Sequence, residues 1–295
     1  MSLSDLGPDQ IAERLYPRSA VLPVLPDPQS LADHHVAEFE RQGVLAVAGV
    51  FTTEELEAAR AGLRHLIAGG CPDFRGLQLE DAAQGLDLTP EERESYVRKL
   101  FDFTPSDGRL KAMAEKPSFL AIVERLVGSE VAISQEMALL KPPRIGREKP
   151  WHQDSAYFLF DPPGGVLGTW IALDEATPEN GCMHVIPGSH LGGPRPHYHD
   201  RDCQLADEDV EVDRGVMVPL APGGVLFFGG LLHHGTPPNR SPSRRWALQF
   251  HYASVHCQKA DPLQHRSVFV DRQGDASCTG HLTGRPARPV SRKPG

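Results

Sequence analysis

Apolar residues in the first 130 positions recur at the three- and four-residue spacing of helices. Thr52 followed by Glu55 has the pattern of a capping box. The helix that it opens would bury one face, formed by Leu56, Ala59, Leu63 and Leu66. Further helices are predicted at residues 31–39, 90–101 and 118–126, and a strand at residues 44–47. The proline-rich first 28 residues are expected to lie extended on the surface, and residues 70–88 to form a loop.

From Gly128 onward the pattern changes to short β-rich runs separated by glycine and proline. The runs are residues 131–140, 166–173, 183–186, 216–220, 225–228 and 246–253. Many short strands with turn signals between them are typical of a sandwich or barrel rather than of a βαβ sheet. We therefore predict a mainly β fold, a jelly roll with flanking helices.

No internal repeat or long low-complexity linker divides the chain. We predict one domain over residues 1–270, with a helical N-terminal part at 29–127 and a β core at about 130–256. Residues 271–295 contain several arginines and prolines and few apolar residues. They are expected to form a loose tail.

Composition and charge narrow the class of protein. Of the 295 residues, 40% are hydrophobic and 23% charged, which is the balance of a globular chain. Thirty basic against 39 acidic residues give a net charge of −9, so a nucleic-acid partner is not expected, because duplex binders normally carry a basic surplus. The chain contains no run of 18 apolar residues, so no membrane-spanning helix is predicted.

The cysteines and the N-terminus bear on the compartment. The five cysteines are an odd number without CxxC spacing, which favours reduced thiols; they are Cys71, Cys182, Cys203, Cys257 and Cys278. The start, MSLSDLGPDQIAERL, lacks the apolar core of a secretory signal. Together these features predict a cytoplasmic protein.

The segment Trp151-His152-Gln153-Asp154 carries the first candidate chemistry. Residues two apart on a strand point to the same face, so His152 and Asp154 can direct an imidazole and a carboxylate to one point. His234, after the predicted strand at 225–228, is the candidate third ligand. Two histidines and one carboxylate on one side of a metal are the arrangement of non-haem Fe(II) oxygenases. With 14 histidines in the chain, the pair alone is explained as well by a surface or capping role.

A longer series of motifs surrounds this segment. They are residues 141–143 (KPP), 151–154 (WHQD), 170–174 (WIALD), 180–182 (NGC), 186–190 (IPGSH) and 234–241 (HGTPPNRS), followed by Arg245. In their order and spacing, over about residues 31–256, they resemble the phytanoyl-CoA dioxygenase family of Fe(II)/2-oxoglutarate-dependent oxygenases. The resemblance implies a single oxygenase domain with a double-stranded β-helix (jelly-roll or cupin-like) core.

The resemblance also implies a metal site and a co-substrate site. The Fe(II) ligands would be His152, Asp154 and His234. Arg245, 11 positions after His234, matches the 2-oxoglutarate anchor, and a guanidinium can offer two parallel donors to a carboxylate. Four further positions match residues that commonly line the same pocket, namely Gln135, Lys141, Trp170 and Thr236. They would hold the oxo-acid by amide, ammonium, ring packing and hydroxyl.

Neighbouring residues compete for two of these roles. The family's His-Gly-Ser/Thr pattern selects His234 and leaves His233 to packing or the surface, and the 11-residue offset selects Arg245 over Arg244. The other histidines are not expected to be ligands. His197 and His199 are interpreted as part of a solvated, proline-rich loop, with substrate contact as the alternative.

The predicted function is a dioxygenase that hydroxylates or otherwise oxidises an unactivated C–H bond of a small organic molecule. It would consume O2 and 2-oxoglutarate and release succinate and CO2, with ascorbate as a candidate stimulant. Asp154 argues against halogenation, because halogenating members carry a small residue there; desaturation, epoxidation and ring formation stay open. The alternative is a catalytically inactive jelly-roll protein that binds metal and oxo-acid, such as a sensor.

The sequence identifies neither the substrate nor the oligomeric state. Several segments nevertheless indicate where the substrate could bind. The basic residues at 141–149 could receive an anionic group such as a carboxylate, phosphate or CoA ester, or form a solvated connection. Tyr157, Phe158 and Phe160 could line an apolar pocket or belong to the core. Residues 71–87 and 192–213 are long enough to act as lids. No C-terminal SKL-type signal is present, which weakens a peroxisomal phytanoyl-CoA reading.

Overall fold

Short strands make up most of the regular structure in the computed structural model, which describes residues 7–158, 160–162, 164–261, 269 and 288–290. The strands are β1 (Val24–Leu25), β2 (Val44–Val47), β3 (Leu77–Leu79), β4 (Val97–Phe101), β5 (Val131–Lys141), β6 (Lys149–His152), β7 (Phe160–Asp161), β8 (Val166–Ala172), β9 (Met183–Val185), β10 (Tyr198–His199), β11 (Cys203–Gln204), β12 (Val216–Val218), β13 (Val225–Gly229), β14 (His234–Thr236), β15 (Arg245–Ser254), β16 (Gln258–Lys259) and β17 (Arg288–Pro289).

Six α-helices and several 3-10 turns accompany the strands in the described residues. The helices are α1 (Pro8–Leu15), α2 (Asp33–Gln42), α3 (Thr53–Ile67), α4 (Pro90–Arg93), α5 (Gly108–Ala114) and α6 (Pro117–Val127). The 3-10 turns are Pro28–Ser30, Asp81–Ala83, Asp154–Tyr157, Ser189–Gly192, Asp207–Asp209 and Val212–Arg214. The capping box is confirmed: Glu55 N donates to Thr52 Oγ1 at 3.3 Å, and Thr52 N donates to Glu55 Oε2 at 2.8 Å.

Two sheets face each other across the molecule. Within the described part of the chain the larger has nine strands in the order β1-β2-β13-β8-β15-β5-β4-β3, with β17 also paired to β5. The smaller has the order β12-β9-β14-β6, and β10-β11 and β7-β16 form separate pairs. All pairings are antiparallel except that of β1 with β2. This is the mainly β, two-sheet arrangement that the sequence predicts.

Alternate residues of β15 face opposite sides: one set packs against a layer of helices, and the other faces the space between the two sheets. Leu248, Phe250 and Tyr252 face the core formed with α3, α5 and α6. The Tyr252 hydroxyl donates to the carbonyl oxygen of Ala114 at the end of α5, at 2.7 Å. Ala247, on the opposite face, packs with residues of β9 and β12 between the two sheets. The inward-facing side of β15 is therefore the one available to a site.

Two expectations about the N-terminal half are wrong. The helix expected at 90–101 ends after one turn at Arg93, and Val97–Phe101 is strand β4, whose Val97 and Leu100 enter the main core. Pairing with β5 outweighs the helix preference of the acidic segment, because it buries those apolar side chains. The first 28 residues are not wholly extended either, since helix α1 packs Leu15 and Tyr16 against Trp151. Helix α5 and the short strand β3 were not predicted.

The structure also bears on the predictions made for the cysteines and for the C-terminal tail. Cys71, Cys182 and Cys257 are free, as the prediction of reduced thiols requires, but Cys203 is disulfide-bonded, which contradicts a wholly reduced set. Cys278 and most of the predicted loose tail at 271–295 lie outside the described residues. Within that tail, Arg288–Pro289 pairs with β5. None of the described helices has the length and apolar character needed to cross a bilayer.

Candidate metal and co-substrate site

Three candidate ligands meet where strands β6 and β14 pair. His152 ends β6, His234 begins β14, and the two residues lie directly opposite each other in register. The sequence argument assumed that Asp154 continues the strand from His152. In the structure, Asp154 instead opens the 3-10 turn Asp154–Tyr157. Its Oδ1 lies 3.2 Å from His152 Nε2 and 3.5 Å from His234 Nε2. One potential ligand atom from each residue lies within 4.8 Å of the others, and all three residues are buried.

Backbone carbonyls set the orientation of both imidazoles. Nδ1 of His152 lies 2.8 Å from the carbonyl oxygen of Pro150, and Nδ1 of His234 lies 2.9 Å from that of Leu232. A carbonyl only accepts, so Nδ1 carries the proton and each Nε2 presents a lone pair toward Asp154. Burial, then the neighbouring His234, lowers the pKa of His152 to about 4. The neutral form that a metal requires is therefore the stable one at neutral pH.

The second oxygen of Asp154 is held from the opposite side by two residues of β15. His251 Nε2 lies 2.7 Å from Oδ2, and Gln249 Nε2 donates to the same oxygen at 3.1 Å. Burial would raise the pKa of Asp154, but His234, His251 and their neighbours hold it well below its usual range. Sequence reasoning missed Gln249, and it included His251 only among the histidines that are not expected to be ligands. The alternation of β15 from Arg245 would have placed both on the inward face.

Arg245 is brought into the same interior, and Arg244 is not. The buried guanidinium of Arg245 lies 5.2 Å above the ring of Trp170, and its Nη1 donates to the carbonyl oxygen of Leu139 at 3.2 Å. No carboxylate of the described residues forms an ion pair with it, and its Nε has no hydrogen-bond partner there. Burial lowers the pKa of Arg245 to about 10. Arg244 instead forms ion pairs with Asp174 and Glu94.

The four weaker candidates lie around Arg245 in different roles. Lys141 is opposite Arg245 in the β5–β15 register, and its Nζ donates to the carbonyl oxygens of Pro237, at 2.6 Å, and Arg147. Burial, followed by the charge of Arg245, lowers the pKa of Lys141 well below its usual value. Gln135 and Thr236 line the cavity described below, whereas Trp170 packs beneath Arg245 with its Nε1 buried.

A cavity of about 1130 Å³ connects these groups. Its walls include His152, Asp154, His234 and Arg245, together with Tyr157, Phe158 and Phe160, so these aromatic residues do line a pocket. The basic segment beside it is not a free patch: Arg147 pairs with Glu80 and Asp81, and Lys149 pairs with Asp202.

The expectation of a solvated loop is wrong for His197. Its side chain is fully buried, and its Nε2 accepts a hydrogen bond at 3.0 Å from the backbone N of Gln153, the residue between the candidate ligands His152 and Asp154. His199 lines the cavity. His233 is buried beside His234, and its backbone N donates to Ser189 Oγ at 2.8 Å.

The residues present fit an iron ion and a dicarboxylate. Two imidazole nitrogens and one carboxylate oxygen form a compact donor set of the kind that leaves open positions on a metal. A buried arginine without a counter-anion is costly, and a carboxylate of a bound oxo-acid would satisfy it. The fold and this site define the class of jelly-roll iron- and 2-oxoglutarate-dependent oxygenases.

Solved structures share the fold over nearly the whole chain. The structure of EctD from S. alaskensis with bound Fe matches with a TM-score of 0.68 and 23% identity, covering 95% of this chain and 94% of that one. The alpha ketoglutarate dependent carbocyclase SnoK from nogalamycin biosynthesis matches with a TM-score of 0.63 and 21% identity, covering 91% and 97%. At such identities the likeness shows the fold, and it confirms the predicted jelly-roll core.

The sequence comparison identifies the family. The profile of the family "Phytanoyl-CoA dioxygenase (PhyH)" matches residues 39–247, so the chain belongs to the phytanoyl-CoA dioxygenase family. The peroxisomal phytanoyl-CoA dioxygenase of Mus musculus is 28% identical over 239 residues, which are 76% of this chain and 68% of that protein. Its counterpart of Homo sapiens is 30% identical over 178 residues, 57% of this chain and 52% of that protein. The chain thus spans about half to two thirds of these relatives, and the predicted family resemblance is confirmed.

Proposed function

We propose that this protein is an Fe(II)- and 2-oxoglutarate-dependent dioxygenase that oxidises an unactivated C–H bond of a small organic substrate. The observation that carries the proposal is the buried set of three ligand atoms within 4.8 Å, in one cavity with an arginine that lacks an acidic partner among the described residues. For hydroxylation, one oxygen atom of O2 enters the substrate and the other enters succinate, while CO2 leaves the oxo-acid.

Different side chains would bind the metal and the co-substrate. His152, Asp154 and His234 would hold the metal, which when bound supplies activation of O2 together with 2-oxoglutarate. Arg245 would bind the distal carboxylate of 2-oxoglutarate, over the ring of Trp170. Gln135, Lys141 and Thr236 are proposed as further contacts to the oxo-acid. Ascorbate stays a candidate stimulant, and hydroxylation is the default outcome among the oxidations of this class.

Small-molecule substrates are in keeping with the comparisons. One related structure is that of EctD from S. alaskensis with 2-oxoglutarate and 5-hydroxyectoine, at 24% identity and a TM-score of 0.64. The mammalian relatives are named for phytanoyl-CoA and for the peroxisome. A cytoplasmic location therefore stays a prediction for this chain, and the comparisons give no support to the alternative of an inactive binding protein.

Anaerobic titration with Fe(II) and 2-oxoglutarate tests the proposal. We expect a weak visible charge-transfer band that saturates at one equivalent of Fe(II), because the oxo-acid chelates the metal. Asp154→Ala should lose the band, whereas Asp213→Ala, which removes an exposed carboxylate, should keep it. In air, wild-type protein should convert 2-oxoglutarate to succinate slowly without substrate. A wild-type protein without the band, or an Asp154→Ala variant with normal turnover, would refute the assignment.

A further inference from the structure

Strand β5 contains a bulge that turns two consecutive residues toward the cavity. Gln135 pairs with His251 of β15, but the next pair is Ile133 with Tyr252, so Ser134 has no partner in the ladder. Ile133 packs in the main core, whereas Ser134 and Gln135 both line the cavity. An extra residue interrupts the strand alternation in this way, and bulges beside active sites often redirect a side chain.

The hydroxyl oxygen of Ser134 is buried and has no hydrogen-bond partner among the described residues. Burial removes the bonds that a hydroxyl makes to bulk water, so an unpaired hydroxyl is unfavourable until another polar group takes their place. Because Ser134 lines a cavity, a bound molecule can supply that group.

Ser134 lies close to the level of the candidate metal ligands. Nε2 of His251, which is opposite the neighbouring residue of β5, is 2.7 Å from Oδ2 of Asp154. The ring centre of Phe158 lies 4.8 Å from that of His251, and that of Phe160 lies 6.2 Å from that of Phe158. This part of the cavity therefore combines the candidate ligands, two aromatic rings and the unpaired hydroxyl.

The anchor of the co-substrate lies toward the other end of the same strands. Arg245 is opposite Lys141, six residues before the pair of His251 with Gln135. At about 3.3 Å per residue, the two pairs are roughly 20 Å apart along the strands. The distal carboxylate of 2-oxoglutarate on Arg245 is thus remote from Ser134, and the contact proposed for Gln135 concerns the end of the oxo-acid at the metal. Ser134 is left for the substrate.

The cavity residues that flank Ser134 on β5 are uncharged. Val131 and Ala132 line the cavity on one side of it, and the charged lining residues nearest to them in sequence and pairing, Glu130 and Lys259, are exposed at the rim. A hydroxyl can donate and accept a hydrogen bond, but it cannot neutralise an ion. A charged group buried there would lack compensation, so the group that fits is uncharged.

We infer that Ser134 forms a hydrogen bond with an uncharged hydroxyl or carbonyl group of the substrate, whose apolar body packs against Phe158 and Phe160. The inference rests on the proposed function and specifies the substrate class of that site, a mainly apolar molecule with a neutral polar group. Ser134 is then a specificity-determining residue that distinguishes such a group from a methyl group and from an ion.

Fluorine NMR titration of the metal-free protein tests the inference with four probes of similar size. Para-fluorobenzyl alcohol and para-fluoroacetophenone carry the neutral polar group, para-fluoroethylbenzene lacks it, and para-fluorobenzylammonium carries a charge. We expect Ser134→Ala to weaken at least one of the two neutral polar probes about 5-fold, since one uncharged hydrogen bond is lost, and to leave para-fluoroethylbenzene unchanged. Ser134→Thr keeps a hydroxyl and should retain the affinity. Ser118→Ala removes an exposed hydroxyl of α6 and is the matched control.

The same variants separate the substrate from the co-substrate. In the anaerobic titration with Fe(II), Ser134→Ala should bind 2-oxoglutarate as wild type does, judged by the charge-transfer band. Equal affinity of wild type and Ser134→Ala for both neutral polar probes, or no binding of either by wild type, overturns the inference. Tighter binding of para-fluorobenzylammonium than of the alcohol also overturns it, as does a weakened 2-oxoglutarate band in Ser134→Ala. Absence of the band in wild type is a failure of the proposed function instead, because the probe titration needs neither metal nor oxo-acid.

Discussion

Nε2 of His251 lies 2.7 Å from Oδ2 of Asp154, the carboxylate oxygen that faces away from His152 and His234. Gln249 donates to the same oxygen at 3.1 Å. Because Oδ2 is engaged from β15, Oδ1 is left pointing at the two imidazoles. The carboxylate is thus oriented by residues almost 100 positions away in the sequence, and the two facing sheets are joined at the candidate metal site.

Replacing His251 should weaken metal binding without removing a ligand. Outer partners of metal ligands typically contribute 10- to 100-fold in affinity, so His251→Ala is expected to raise the dissociation constant for Fe(II) or Co(II) by about that factor. Titration of the apoprotein with Co(II), followed by its visible bands, measures the change. The exposed His256→Ala is the control and should bind as wild type does. Unchanged affinity in His251→Ala would show that the contact has no orienting role.

Arg245→Met should act on 2-oxoglutarate and not on the metal. Loss of a charge-assisted carboxylate contact is expected to weaken 2-oxoglutarate about 10- to 100-fold, while Fe(II) affinity stays nearly constant. Arg244→Met is the matched control, because its ion pairs with Asp174 and Glu94 lie elsewhere; it should lower stability and leave the KM for 2-oxoglutarate unchanged. If Arg244→Met weakened 2-oxoglutarate binding and Arg245→Met did not, Arg244 and not Arg245 would be the residue that binds the co-substrate.

Gly168→Ala should affect both stability and the metal site. A Cβ at this position of β8 would lie 2.4 Å from Cζ of Phe228, and the Phe228 ring lies 4.6 Å from that of His234. The displaced ring is expected to cost about 1–3 kcal/mol in the free energy of unfolding and to weaken Co(II) binding. Gly108→Ala introduces a Cβ into open space at the start of α5 and should be close to neutral. Urea unfolding and metal titration measure the two effects.

His197 should make the folded state sensitive to mild acid. Burial lowers the pKa of His197 from 6.5 to about 3, so below pH 6.5 the unfolded chain takes up a proton that the folded protein does not. The free energy of unfolding therefore falls as the pH decreases from 6.5 toward 3. From pH 7 to pH 5 this single group contributes a loss of about 2 kcal/mol.

Comparison with His197→Gln isolates this contribution. A glutamine can accept the hydrogen bond from Gln153 N without titrating, so the variant should lose about 2 kcal/mol less between pH 7 and pH 5. Other buried histidines, such as His184, are present in both proteins and cancel in the difference. Parallel pH slopes of urea-derived stability would contradict the prediction.

Local sequence signals were sufficient where an element is stabilised by its own residues. The capping box at Thr52 and Glu55 and the β-rich runs after residue 130 predict elements that the structure contains. They failed at β4, where the acidic residues before it favour a helix but only pairing with β5 buries Val97 and Leu100. Short strands of this kind depend on a partner that local sequence does not show.

The sequence by itself determined the chemistry available to this protein: two histidines and an aspartate in recognisable motifs, an arginine 11 positions after the last histidine, and the family to which the chain belongs. Only the tertiary structure decided which side chains support that chemistry. His251 and Gln249 reach Asp154, the buried His197 accepts a hydrogen bond from the backbone of Gln153, and a bulge in β5 turns Ser134 to the cavity. The physical reason is that orientation, burial and charge compensation arise from contacts between strands that are remote in the chain, and β pairing sets those contacts.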